Sequence, residues 1–326
     1  MGSSSFERIV GNVSAAEKEN IKREFDDRFD DQAFEALVGK ERKKTPEELR
    51  IIALANELTN KLRKEYGLDD FDVPAQNIHI IKEDEWPRLQ EATAIYMASL
   101  QGVVSRENEA SLISMKQILH EMVHFKSYHA AQVTKSEQPE LLQYRVGLRV
   151  NARDGKSTYF RTLNEAVTEE ITIELMYKAL QDPLFEKEIR QTEDLGNRYP
   201  DAVTTEGELL FDDDTYYARL VDKTTLKDRV GRLFGTERGR KISVGHFTYR
   251  RERKMFGDLI DKLFEHNTQK FHSPDEVAVL FAKGLMTGDI LPIGRLVDGT
   301  FGKGTLRKIG ELDSDIDAQE EFVKSL

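Results

Sequence analysis

Cysteine is absent from the 326 residues. Its absence excludes disulfides, thiolate metal sites and a cysteine nucleophile. It also suits a reducing compartment, and the expectation is a cytoplasmic protein. Long apolar runs are missing too. No stretch approaches the ~18 residues of a membrane-spanning helix, and no secretory signal-like segment opens the sequence. Basic residues are in deficit, 48 Lys and Arg against 59 Asp and Glu, giving a net charge of −11. That balance disfavours nonspecific binding to nucleic acid or to an anionic membrane. Apolar residues at 39 % beside charged residues at 33 % describe a soluble globular chain with a very polar surface. The length allows one large or two modest domains.

What is present is concentrated in one stretch, Ile113-Ser-Met-Lys-Gln-Ile-Leu-His120-Glu121-Met122-Val123-His124-Phe125. On a helix, positions i and i+4 share a face, so both imidazoles can reach one tetrahedral metal ion. Glu121 follows the first histidine and is within reach of a water on that metal. This is the H-E-x-x-H arrangement of zinc hydrolases. The plain alternative is a surface helix with two solvated histidines. Leu112, Ile113, Met115, Ile118, Leu119, Met122 and Val123 argue against it, because a helix apolar around most of its circumference is buried. Buried histidines need partners, and a shared metal supplies them.

A catalytic zinc takes three protein ligands and leaves one position for water. The remaining histidines are His79, His129, His246, His266 and His272. None has the metzincin spacing, since positions 127 and 130 are Ser127 and Ala130. The better third ligand lies in Thr162-Leu-Asn164-Glu165-Ala-Val-Thr-Glu169-Glu170, where Asn164 is a candidate N-cap and Glu165 and Glu169 are i,i+4 neighbours. Acids also suit an exposed helix start for reasons of dipole alone.

H-E-x-x-H followed on a second helix by N-E-x-x-x-[DE] resembles the gluzincin class of zinc metallopeptidases, the thermolysin-like group. The resemblance covers about fifty residues. It implies Zn2+ as cofactor, His120, His124 and Glu165 as metal ligands, Glu121 as general base, and Glu169 as the outer carboxylate that orients a ligand histidine. It also implies an α+β fold, with a zincin-like catalytic lobe in which a small mixed sheet packs on the two motif helices. The function it implies is hydrolysis of peptide bonds in a peptide or protein substrate. The alternatives are a regulatory protein on such a scaffold and a metal-dependent hydrolase of a non-peptide substrate. The oxyanion donor in this class is a tyrosine or histidine outside the motif. Tyr159, His246, Tyr249 and Tyr144 all remain open for that role.

Around this centre the chain divides into a charged N-terminal extension (1–44), a catalytic domain (45–190) and a mainly α-helical C-terminal lobe (191–326). The extension reads as a peripheral helical segment. Thr45-Pro-Glu-Glu48 opens a helix that Gly67 stops. Asn77-Ile-His79-Ile-Ile reads as a strand, with His79 at a surface or core position. Ala92–Arg106 reads as two short strands, one of them a candidate edge for a substrate peptide or an ordinary interior strand. Gln143–Val150 and Ser157–Arg161 read as the two strands of a hairpin around an Arg153–Lys156 turn. In the last lobe, Asp212–Leu220 and Thr224–Phe234 suggest short helices. Tyr249–His266 is amphipathic, and Ser273-Pro opens another helix. Met286–Gly304, with five glycines and one proline, reads as partly irregular. It lacks the G-x-x-x-x-G-K-[ST] phosphate-loop pattern.

Overall fold

The computed structural model describes residues 8–11, 13–30, 39–86, 92–98, 101–133, 141–154, 156–203, 209–222, 234–237 and 240–326. The chain is mixed α and β. Helix accounts for 56 % and strand for 17 %, with the strands gathered in small sheets. The expected α+β class is this coarse architecture.

Three helices position the motif. α2 (Pro46–Glu65) starts with the full capping box, Thr45 accepting from Glu48 N while Glu48 takes the Thr45 N–H. It ends at Tyr66 before Gly67, which adopts φ +74°. α3 (Ser111–Lys126) carries His120 and His124. α4 (Arg161–Ala179) carries Glu165 and Glu169. α3 packs between α2 and α4. Leu112, Met115, Ile118, Leu119, Met122, Val123 and Phe125 on it are all solvent-inaccessible, so the apolar reading of this segment holds.

Two small sheets flank these helices. β2 (Ile78–Ile81), β3 (Ala94–Met97) and β4 (Gly102–Arg106) form a sheet of order β2-β4-β3. β2 runs parallel to β4, and β3 antiparallel. β4 is interior and leads into α3; β3 is an edge. The second sheet has the order β1-β5-β6-β7-β8, with β1 at Arg8–Val10, β5 at His129–Val133, β6 at Leu141–Val146, β7 at Arg149–Asn151 and β8 at Thr158–Tyr159.

This second sheet differs from the expected hairpin. Residues 143–150 are two strands, folded back at Gly147-Leu148, with Val146 opposite Arg149. Gly147 takes φ +56°, which an L-residue resists. That turn is held by Asn164, whose side-chain oxygen accepts from Leu148 N at 2.8 Å. Asn164 is therefore not the N-cap of α4. The helix begins three residues earlier behind Phe160, which is left-handed. Its first N–H groups, on Arg161 and Thr162, are capped by Asp313 from the far end of the chain. The N-terminal extension is also more than peripheral helix. β1 joins the five-stranded sheet parallel to β5, and α1 (Ala15–Asp30) follows it.

The last third is not helical throughout. Thr215–Asp222 is a strand, β9, which with β10 (Phe234–Glu237) and β11 (Arg240–His246) forms a sheet of order β10-β11-β9. The helix expected at 212–220 is thus a strand, because its T-Y-Y-A-R-L-V-D alternation pairs with β11. Of the helix expected at 224–234, residues 224–233 lie outside the described residues. From α6 (Arg250–Glu265) onward the lobe is helical: α7 (Pro274–Thr287), α8 (Leu291–Phe301), α9 (Thr305–Glu311) and α10 (Ile316–Ser325). Met286–Gly304 is mostly helix, its glycines falling at helix ends and on α8. One buried core runs from Ile51 through α3 and α4 to Phe256, Phe281 and Val323, across the boundary expected near residue 190.

Candidate metal centre

α3 sets His120 and His124 one turn apart, and α4 brings Glu165 against them. His120 Nε2 and His124 Nε2 are 3.2 Å apart. Glu165 Oε2 lies 3.2 Å from His124 Nε2 and 3.4 Å from His120 Nε2. Three donor atoms thus form a nearly equilateral triangle. A tetrahedral zinc with bonds of ~2.0–2.2 Å separates neighbouring donors by about 3.4 Å, so the triangle has the size of one face of that tetrahedron. Among the described residues this is the group of His, Asp and Glu side chains that could hold a metal ion. The His124 and Glu165 side chains keep 12 % and 18 % of their surface exposed, so the triangle is reachable by solvent.

The electrostatics suit a cation. Burial alone would push the His120 pKa down, but Glu165 and Glu169 outweigh it and raise it to about 9. Burial would raise the Glu165 carboxyl, yet His124 and His120 hold it well below the usual range. The cluster therefore keeps its acids ionised and its imidazoles directed at one point.

Glu169 stands behind His120. It is fully buried, and its Oε2 accepts from His120 Nδ1 at 2.7 Å. Its Oε1 accepts from Thr248 N at 2.7 Å, Thr248 Oγ1 at 2.9 Å and Lys116 Nζ at 2.9 Å. Burial works against this charge, but His120 and Lys116 bring the Glu169 pKa down to about 2. A carboxylate so placed holds a proton on His120 Nδ1, so the proton that a metal ion would displace is the one on Nε2, facing the triangle.

Glu121 reaches a different neighbour. Its Oε2 accepts the main-chain N–H of Tyr96 in the edge strand β3 at 2.6 Å. The Tyr96 ring stacks on Phe125 of α3 and meets His129 of β5 edge-on, which fixes the strand against the motif helix.

Of the four candidate donors outside the motif, the structure brings Tyr249 to the centre. It sits at the β11–α6 junction in the left-handed region, φ +56°. Its ring lies 5.6 Å from that of His120 with 14° between planes. Burial, then the Glu165 and Glu121 charges, push its pKa up, so it remains a donor. His246 instead contacts Leu210 O at 3.0 Å and lies 3.8 Å from Asp212. Tyr159 is paired with Val150 in β8 and Tyr144 lies in β6. Among the described residues no hydrogen bond, ion pair or ring contact joins these three to the histidine cluster. His79 is a core residue bonded to Glu41 at 2.9 Å.

Lys116, Thr248 and Tyr96 escaped the sequence reading. Lys116 had a signal, since it lies four residues before His120 and so on the same helical face. Thr248 and Tyr96 had none, because their roles come from a main-chain N–H placed by distant strands. No family model matches this chain, and neither does any curated protein or solved structure.

Proposed function

We propose that the chain is a zinc-dependent metallopeptidase with a zincin-like catalytic lobe. The observation that carries this reading is the triangle of His120 Nε2, His124 Nε2 and Glu165 Oε2, with pairwise separations of 3.2 to 3.4 Å. A zinc ion held there would act as a Lewis acid toward water and a scissile carbonyl. The remaining work belongs to side chains of this protein. Glu121 removes a proton from the attacking water and returns it to the leaving nitrogen. Tyr249, its ring beside that of His120, donates to the oxygen on which negative charge develops. Glu169, braced by Lys116 and Thr248, keeps His120 in one tautomer and orientation. β3, an end strand of its sheet that meets Glu121 through Tyr96 N, is the element beside which a peptide substrate would lie, and this favours a peptide over other hydrolysable groups.

The test has two parts. Purified protein should carry one zinc per chain and cleave an unfolded protein, with cleavage stopped by a chelator. Glu121→Gln should abolish turnover, with zinc still bound at the same stoichiometry. Full activity in that variant, or no bound metal in the wild type, would overturn the assignment.

A further inference from the structure

Tyr249 holds a main-chain conformation that a bulky side chain resists. Its φ of +56° lies in the left-handed region, which such residues occupy only where their surroundings impose it. It also keeps 36 % of its surface exposed, so packing alone does not aim its ring. The main chain on either side must do so. On the carboxyl side, Tyr249 O accepts from Arg253 N at 2.8 Å as α6 begins. On the amino side stands Thr248.

Thr248 lies between β11 and α6 and is exposed. Water could satisfy its polar groups, yet its bonds run inward. Its N–H and its Oγ1 both donate to Glu169 Oε1, at 2.7 and 2.9 Å. Its Oγ1 accepts from Lys116 Nζ at 2.9 Å, and Lys116 Nζ lies 2.9 Å from the same Glu169 oxygen. The hydroxyl thus donates once and accepts once, which fixes its direction. Glu169 and Lys116 are buried and belong to α4 and α3, so the anchor is rigid. The preceding residue, Phe247, is buried as well, and its N–H donates to Asp214 O at 2.9 Å.

The two oxygens of Glu169 therefore do different work. Oε2 holds His120. Oε1 holds the residue just before Tyr249. One planar carboxylate sets the direction of an imidazole and of the phenol ring 5.6 Å from it. We propose that Thr248 is a positioning residue for Tyr249. By pinning the chain to Glu169 and Lys116, it sets the tyrosine over His120, where the hydroxyl serves the oxyanion. Thr248 acts through Tyr249 and not on the reacting atoms. This inference rests on the peptidase reading above, with Tyr249 as its donor.

The test is a double-mutant cycle in the full-length protein saturated with zinc. Its substrate is a peptide carrying a cleavage site mapped in an unfolded protein. Tyr249→Phe should lower kcat about 100-fold, the effect of losing one oxyanion donor. Thr248→Val removes the hydroxyl at nearly constant shape, and should lower kcat about tenfold with KM within about twofold. Thr248→Ser keeps the hydroxyl and should recover most of that loss. When Thr248→Val is added to Tyr249→Phe, kcat should match Tyr249→Phe alone, because no donor is left to position. An equal further loss in the double variant would overturn the proposal, since the effect of Thr248 would then lie in the metal site or the fold. Wild-type kcat in Thr248→Val would overturn it too. Wild-type kcat in Tyr249→Phe would also overturn it, and would leave the peptidase reading standing with another donor. If the zinc-loaded wild type and Glu121→Gln both leave the peptide intact, the peptidase reading itself fails, and this inference falls with it.

Discussion

Glu169 shows how much a single carboxylate can organise. It takes one bond from His120 and three from Lys116 and Thr248, and none of its surface is exposed. Partners of this kind are worth about 10–100-fold in metal affinity. Glu169→Gln should therefore weaken zinc binding by about that factor, read by competition against a chelator. Thr248→Val, which leaves the Thr248 N–H bond intact, should weaken it less. Unchanged affinity in Glu169→Gln would mean that His120 needs no such brace. The residues that converge here were readable to different degrees. His120, His124, Glu165 and Glu169 were visible because their spacings are helical, and a helix converts spacing into a shared face. Tyr249 was one of four open candidates, since nothing local distinguishes a tyrosine that will lie over a histidine ring.

At the scale of elements, the two helices bearing the centre are both capped from elsewhere. Neither has a side-chain N-cap of its own. Glu188, on α5 (Glu186–Arg198), accepts from Ser111 N and Leu112 N at the start of α3. Asp313 does the same for Arg161 and Thr162 of α4. The negative charge also meets the positive end of each helix dipole. Losing a cap costs ~1 kcal/mol, up to about 2. Asp313→Ala should lower the urea midpoint accordingly without changing the slope. A variant as stable as the wild type would show that the α4 terminus is satisfied by water instead. Such caps are hidden from a local reading. Thr45 and Glu48 lie three residues apart and could be recognised, whereas Asp313 is about 150 residues from its helix. Asn164 had the residue type of a cap, but its oxygen was claimed by the Gly147-Leu148 turn. The β9 segment was misread for a related reason. Its alternation matters only because β11 lies beside it.

At the scale of the whole molecule, one core joins α2, α3 and α4 to the C-terminal helices, so the centre and the fold are stabilised together. His129, fully buried in β5, reports on that core. Its Nδ1 donates to Ser127 O at 2.7 Å, and burial drives its pKa down to about 3, against that bond. The unfolded chain takes up this proton below about pH 6.5, whereas the folded chain does so only near pH 3. Between those values the unfolded state binds more protons, so stability falls as the pH falls. In excess chelator, His129→Phe should lack this component. The stability gap between wild type and variant should shrink as the pH is lowered from 7 to about 4. Denaturation curves that stay parallel across the window would place His129 in a wetter setting.

The amino-acid order alone determined what depends on neighbours within a few residues. It set the helical register of His120 and His124, the pairing of Glu165 with Glu169, the capping box of α2 and the apolar circumference of α3. Each is a matter of spacing along a single helix. Tertiary structure decided which of several tyrosines meets the histidines, that Lys116 and Thr248 secure Glu169, that Asp313 starts α4, and that Tyr96 presents its N–H to Glu121. Those contacts join residues tens to hundreds of positions apart. Their partners are selected by packing and strand pairing, for which local order carries no signal.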